Sequence, residues 1–227
     1  MPDRIVQYAL EDGDVAVLRW DDGGANVVST AFVAEMAEHL DRAAEEAKAV
    51  ALIGRPGRFC AGFDLSVMGQ GGRAVVDLVL GGARLALRLY GHPTPVVAGC
   101  SGHAIAMGGV LLLACDARVG TAGRFKIGLN EVAIGMTFPP FGIAFAEERL
   151  ARTHLQRAVA GAEIFGPEEA VTAGFLDRVV DEPALEEETL AEARRWAGLD
   201  AKAHVGTKQR MRGAFIERVE AGLSGPL

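Results

Sequence analysis

Only three cysteines occur among the 227 residues (Cys60, Cys100 and Cys115), and none of their spacings matches a metal-ligand set. An odd count excludes a framework in which every cysteine is paired, and fits reduced thiols in a cytoplasmic protein. The chain also lacks a basic excess. Its 23 Lys and Arg are outnumbered by 30 Asp and Glu, for a formal charge of −7, which excludes general nucleic-acid binding through a basic face. No export leader is expected, because Met1-Pro2-Asp3-Arg4 runs straight into a strand pattern. The G-x-S-x-G elbow of serine hydrolases is missing. The histidines (His39, His92, His103, His154 and His204) show no ligand spacing, so no metal is expected. There is no internal repeat and no long low-complexity linker.

Charge is absent altogether from Pro93 to Cys115, a run long enough to raise a membrane span. Pro95, Gly99, Ser101, Gly102, His103, Gly108 and Gly109 interrupt it, so a buried strand, a turn and a buried helix are expected, with no membrane partner.

Half of the residues are apolar, and the chain is long enough to bury a full core. Ile5–Leu10 and Val15–Trp20 read as strands joined by Glu11-Asp12-Gly13-Asp14. Ser29 or Thr30 can cap a helix whose apolar residues Val33, Met36, Ala37, Leu40 and Ala44 recur at helical spacing. A strand at Val50–Gly54, a loop at Arg58–Leu65, a helix at Val75–Tyr90 and a strand at Pro95–Gly99 follow. Gly108-Gly109 opens a helix through Leu113, and Ala117–Gly120 returns as a strand. This alternation points to an α/β fold with parallel units. Beyond Phe141 the patterns are helical (Phe141–Leu150, Leu155–Ala160, Pro167–Ala173, Ala184–Ala197, His204–Ala221), with Asp177–Val180 the only strand candidate. The expected division is therefore a core over residues 1–140 and a mostly helical region over residues 141–227.

Three segments carry chemistry. In Arg58-Phe59-Cys60-Ala61-Gly62-Phe63-Asp64-Leu65, the small residues Ala61-Gly62 can aim the Phe63 N–H outward instead of into a ladder. The second segment is Ser101-Gly102-His103-Ala104-Ile105-Ala106-Met107-Gly108-Gly109, at a helix start. Unpartnered N–H groups and the helix dipole there could stabilise an anion; close packing against a strand is the alternative. The third contains Asn130-Glu131. Glu131 is the only acid between Asp116 and Glu147, in an apolar context that raises a carboxylate pKa and suits proton transfer. A capping or salt-bridged glutamate is the other reading.

Together the Phe-Cys-Ala-Gly-Phe-Asp-Leu run, the Ser-Gly-His-Ala…Gly-Gly turn with Cys115-Asp116 after it, and Asn130-Glu131 closely resemble the crotonase (enoyl-CoA hydratase/isomerase) family over nearly the whole chain. The resemblance implies a spiral of ββα units with a C-terminal helical region, in homotrimers or dimers of trimers. It implies an acyl-CoA thioester as substrate, with no separate cofactor, bound around Ala61, Gly62, Phe63, Asp64, Leu65, Met107, Gly108 and Val110. The Phe63 and Met107 N–H groups would hold the thioester oxygen and Glu131 would move the proton. Most members carry glycine at the Met107 position. Family hydratases hold water between two glutamates, and the second falls at Val110 here. That favours shifting a 3-enoyl-CoA double bond, with hydration or acyl-CoA binding without turnover as alternatives. Ile127–Glu131 and Arg88-Leu89-Tyr90 look most like 3,2-enoyl-CoA isomerases, and the chain is also similar to small bacterial proteins labelled hydratases. An early end at Gly225-Pro226-Leu227 suggests a shortened cover over the CoA site.

Other readings are weaker. Gly69-Gln70-Gly71-Gly72-Arg73-Ala74 fits the loose dinucleotide pattern, but no convincing strand precedes it and no acid follows at the required spacing. Cys60 has no partner base and reads as a packed small residue, and His103 as a core or turn histidine. Lys202, Lys208, Arg210 and Arg212 could neutralise CoA phosphates or form a solvated helix face.

Overall fold

The computed structural model describes residues 4–12 and 14–224, so expectations on residues 1–3, Gly13 and residues 225–227 lie outside the described residues. Strands β1 (Val6–Glu11) and β2 (Val15–Trp20) pair antiparallel from Val6↔Trp20 to Glu11↔Val15. Helix α1 (Thr30–Glu46) begins at Ser29, whose Oγ accepts the Phe32 N–H at 3.1 Å and so satisfies one orphan donor of the first turn. Its buried face is Phe32, Met36, His39, Leu40 and Ala43. Ala44, placed on that face by the spacing, is exposed. The stripe starts from Phe32 instead of Val33, because Phe32 stacks on Trp20 with ring centroids 3.7 Å apart.

Then the chain winds. Strand β3 (Ala49–Gly54) leads directly into β4 (Gly57–Cys60), then into the short helix α2 (Leu65–Met68) and the long helix α3 (Gly72–Gly91). β5 (Val96–Cys100), β6 (Gly102–Ile105) and α4 (Met107–Ala114) repeat the pattern. β7 (Ala117–Thr121) and β8 (Ile127–Gly128) repeat it again, ending in a 3-10 turn at Val132–Ile134 and helix α5 (Pro140–Arg149). This is a spiral of ββα units. The run from Pro93 to Cys115 is accordingly strand, strand and buried helix, and among the described residues no helix is long and apolar enough to cross a membrane.

After α6 (Arg152–Val159), a strand β9 (Ile164–Phe165), α7 (Pro167–Ala173) and β10 (Arg178–Val180), the chain ends in α8 (Leu185–Ala197) and α9 (Ala201–Gly222). The first sheet runs β1-β2-β3-β5-β7-β10, parallel except for the β1–β2 pair. The second runs β4-β6-β8-β9, with β8–β9 antiparallel.

The second sheet corrects the sequence reading, which took Arg58–Leu65 for a loop and Ser101–Gly109 for a turn, and expected no strand at Ile164–Phe165. Its strands are too short for a two-residue alternation to show, and they carry glycine for a packing reason. A Cβ on Gly102 would sit 2.1 Å from the Gly57 carbonyl carbon, so β4 and β6 can approach only without a side chain there.

The second correction concerns the basic cluster. Lys208 and Arg212 on α9 are buried and held by Asp116: its Oδ2 accepts Lys208 Nζ at 2.7 Å, and its Oδ1 lies 2.8 Å from Arg212 Nη1. Arg212 also donates to the Tyr90 carbonyl at 2.7 Å, and Asp116 Oδ2 accepts the Val96 N–H at 2.7 Å. These cations staple α9 to the strand ends and are not free for phosphates. Lys202 and Arg210 remain exposed. Asp64–Met68 forms no strand before the glycine run; it is the N-cap and turn of α2, as rejection of a dinucleotide site requires.

Candidate active site

The site forms where β4 and β6 end. Cys60 pairs with Ala104, and beyond them one chain turns into Ala61-Gly62-Phe63 while the other turns into α4. Gly62 has φ +98, and a Cβ there would lie 3.1 Å from the Ala106 Cβ and 3.8 Å from the Met107 nitrogen. The glycine thus lets the two turns touch. Gly108 does the same from the other side: a Cβ on it would lie 2.4 Å from the Cys60 carbonyl oxygen.

Around Phe63 the neighbouring backbone groups are tied down. Ala61 N–H donates to the Asn26 carbonyl (3.2 Å), Val28 N–H to the Gly62 carbonyl (2.8 Å), and Asp64 N–H to the Val28 carbonyl (3.1 Å). Gly62 N–H reaches Cys60 Sγ at 3.3 Å. Among the described residues neither Phe63 N–H nor Met107 N–H has a partner. Met107 is the first residue of α4, so its N–H is one of the orphan donors of a helix start. The residue before it, Ala106, is non-glycine at φ 55 and ψ −121, a strained conformation that turns the chain so that this N–H leaves the strand direction. The helix opens at Met107, one residue before the glycines that marked it in the sequence.

Met107 does not fill the space in front of its own N–H. Its side chain is buried and runs to α3, where its Cε and the Phe63 ring flank Gly82; a Cβ on Gly82 would be 3.4 Å from Met107 Cε and 2.5 Å from Phe63 Cε1. A large residue at this position is therefore compatible with a free donor.

The carboxylate arrives through β8. Ala106 N–H donates to the Gly128 carbonyl at 2.9 Å, and Gly109 packs on Gly128 and Leu129, so the chain passes the first turn of α4 just before Asn130 and Glu131. Glu131 is buried, forms no cap bond with the 3-10 turn it precedes, and has an Oε2 with no partner among the described residues. Neither the capping nor the salt-bridged reading is realised. Burial away from any cation pushes its carboxyl up to about 7.

Other sequence candidates take humbler places. Val110 is buried one turn into α4 and offers no polar atom. Asp64 caps α2, accepting the Ser66 N–H at 2.9 Å, while Leu65 and Ala61 are exposed. Burial pushes the Cys60 thiol up to about 12, so it is a packed neutral group. His103 Nδ1 accepts the Lys126 N–H at 2.9 Å, and burial with nearby Arg58 and Lys126 lowers its pKa; it is a half-buried histidine of strand β6, neither in a turn nor in the core. Sequence reasoning missed the segment Asn26–Val28, which holds the Phe63 turn. Its signal was the Asp21-Asp22-Gly23-Gly24 run, whose side-chain-capped turns are local features that look like any loop.

Two unpartnered backbone donors on touching turns are groups that can stabilise an oxyanion, and a buried, uncompensated carboxylate is one that can move a proton. Known proteins share the sequence pattern and the fold. Residues 11–224 match the enoyl-CoA hydratase/isomerase family. A solved enoyl-CoA hydratase/isomerase family protein from Pseudomonas syringae is 40% identical, with a TM-score of 0.95, over 97% of this chain and 95% of that one. An enoyl-CoA isomerase from Mycobacterium tuberculosis is 36% identical, with a TM-score of 0.93, over 98% and 97% of the two chains; a second structure of that protein describes it as a probable enoyl-CoA hydratase. Human mitochondrial enoyl-CoA delta isomerase 1 is 29% identical over 90% of this chain and 70% of its own length. The chain belongs to the enoyl-CoA hydratase/isomerase, or crotonase, family of enzymes that act on acyl-CoA thioesters.

Proposed function

We propose that this protein shifts the double bond of a 3-enoyl-CoA to the 2 position. The Phe63 and Met107 N–H groups donate hydrogen bonds to the thioester oxygen, and the Glu131 carboxylate takes a proton from C2. The electron pair left at C2 spreads onto the thioester oxygen as a dienolate, where two aimed donors stabilise it; loss of one such donor typically costs about 3 kcal/mol of transition-state stabilisation. Collapse of the dienolate forms the C2=C3 bond as C3=C4 opens, and Glu131 returns the proton to C4. Proton and charge balance, and nothing else is consumed.

The observation that carries this reading is a buried carboxylate, unpaired among the described residues, whose pKa, about 7, suits both taking and returning a proton. The aliphatic Val110 stands where a hydratase would place a second acid to hold water. Relatives named as isomerases support the same choice. In this reading the enzyme works as a homotrimer or dimer of trimers.

The test is to follow the ultraviolet absorbance of the conjugated thioester with 3-hexenoyl-CoA and, separately, 2-hexenoyl-CoA. Formation of conjugated product that disappears in Glu131→Gln while acyl-CoA binding survives is the expected result. Rapid hydration of 2-hexenoyl-CoA would overturn it in favour of a hydratase. Tight binding with no turnover of either substrate would make the protein an acyl-CoA binder.

A further inference from the structure

We propose that Asn26, on the loop between β2 and α1, is the positioning residue that sets the direction of the Phe63 N–H. The inference rests on the reading of that N–H as half of the oxyanion hole.

Asn26 is completely buried and uses all of its hydrogen-bonding groups. Its Nδ2 divides between the carbonyls of Trp20 (2.8 Å), Arg58 (3.2 Å) and Phe59 (3.4 Å), and its Oδ1 accepts the Asp22 N–H at 3.1 Å. Its own carbonyl takes the Ala61 N–H. Two of the carbonyls it gathers, those of Arg58 and Phe59, belong to a β-bulge, and the third ends β2. The β4–β6 register advances from Arg58↔His103 to Cys60↔Ala104, so Phe59 is the extra residue. A bulge bends and twists its strand, and here it does so immediately before the Ala61-Gly62-Phe63 turn. An amide clamp across the bulge fixes that bend. Two residues further, Val28 brackets Phe63 with one bond on each side.

The clamp is itself held in an uncommon shape. Asn26 has φ 54, a left-handed conformation that asparagine tolerates better than most side chains. Asp22 holds it there: Oδ1 accepts the N–H groups of Gly24 (2.7 Å) and Asn26 (2.9 Å), and Oδ2 accepts that of Val27 (2.8 Å). The chain of support runs from the Asp22 carboxylate through the Asn26 amide and the bulge to the Phe63 N–H. Neither Asp22 nor Asn26 contributes an atom to the hole.

The test uses Asn26→Gly, which keeps access to positive φ and deletes the amide, and Asp22→Ala, which loosens the loop from its more solvated side. Val17→Ala is the control, since Val17 lies in the small second core with Leu190 and Ala193 of α8, away from the site. Three quantities are measured on the full-length protein: kcat and KM with 3-hexenoyl-CoA, the absorbance red shift of cinnamoyl-CoA on binding, and thermal unfolding by circular dichroism. The red shift reports polarisation of the thioester carbonyl. A misaimed donor should lower kcat in Asn26→Gly by about 10–100-fold. KM should stay within about threefold, because the lost interaction belongs to the transition state. The red shift should shrink, and Asp22→Ala should show a smaller change of the same sign. Val17→Ala should lose Tm and keep kcat and the red shift.

A folded Asn26→Gly with wild-type kcat and full red shift would overturn the proposal. So would a kcat that falls only in proportion to the unfolded fraction. If Asn26→Gly does not fold, Asp22→Ala decides: unchanged kcat and red shift there overturn the proposal as well. The underlying reading fails separately, and visibly, if the wild-type protein produces neither turnover nor a red shift.

Discussion

The carbonyl oxygen of Cys60 occupies the place a side chain on Gly108 would need, 2.4 Å from where its Cβ would lie. This contact joins the end of β4 to the first turn of α4 and sets how far apart the two turns stand.

Gly108→Ala should therefore force backbone apart, since neither the Cys60 oxygen nor its Cβ, 2.8 Å away, can rotate aside. We expect a loss of about 1–3 kcal/mol in urea unfolding, as for other overpacked cores. We also expect kcat for 3-hexenoyl-CoA to fall by more than KM rises. Unchanged kcat in the folded variant would show that the separation of the turns does not matter.

Glu131 makes the enzyme pH-dependent in two ways. Its carboxyl rises from an ordinary 4.5 to about 7 in the folded protein. Below pH 4.5 both folded and unfolded states hold the proton and the group is neutral toward stability. As pH rises toward 7 the unfolded state ionises first, and stability is lost. The penalty, roughly 3 kcal/mol as an upper value, is complete only above the folded pKa. Glu131→Gln should therefore unfold at higher urea than wild type at pH 8 and at the same urea at pH 4. In the active enzyme, kcat/KM should climb with pH to a plateau with its midpoint near 7, because the base must be ionised. A flat profile from pH 5 to 9 would exclude Glu131 as that base.

Ala106 stores strain where the second donor is aimed. Ala106→Gly removes a side chain from φ 55, ψ −121, and should raise stability by roughly 1 kcal/mol. The freed backbone should cost activity: Tm up and kcat down is the expected pair. A variant more stable and equally fast would make the strain incidental.

Asp116→Asn leaves Lys208 and Arg212 buried without their counter-charge. Removing one member of such a group destabilises by about 3–5 kcal/mol. Urea unfolding should show the full loss, while the folded fraction keeps its kcat, since the staple lies outside the site.

Legibility followed the length and burial of each element. β3 and β5 are uncharged, largely apolar runs and β2 opens on one, while β7 follows the strand–helix alternation, so these strands of the first sheet could be read directly from the sequence. β8 and β9 have two residues each, and β4 and β6 four, so their existence depends on neighbours that only the fold supplies. At the site, Phe63 could be singled out through glycine placement and Glu131 through the isolation of a single acid, whereas Met107 was named only through the family resemblance. Asn26 was not. Its amide acts on carbonyls 32 and 33 residues away, and no local pattern encodes such a pairing. The fate of Lys208 and Arg212 was hidden in the same way, because a basic helical run looks alike whether it faces water or a buried aspartate.

The Asp116 staple also bears on how the molecule is made. Asp116 leaves the ribosome 92 residues ahead of Lys208, so during synthesis its carboxylate must wait in water without its partners. Closing β5 and β7 over it early would bury a lone charge, which hydration strongly opposes. The Asp116 carboxylate gains its counter-charges only when the last helix arrives, and we expect nascent chains arrested before α9 to remain open to protease along β5 and β7.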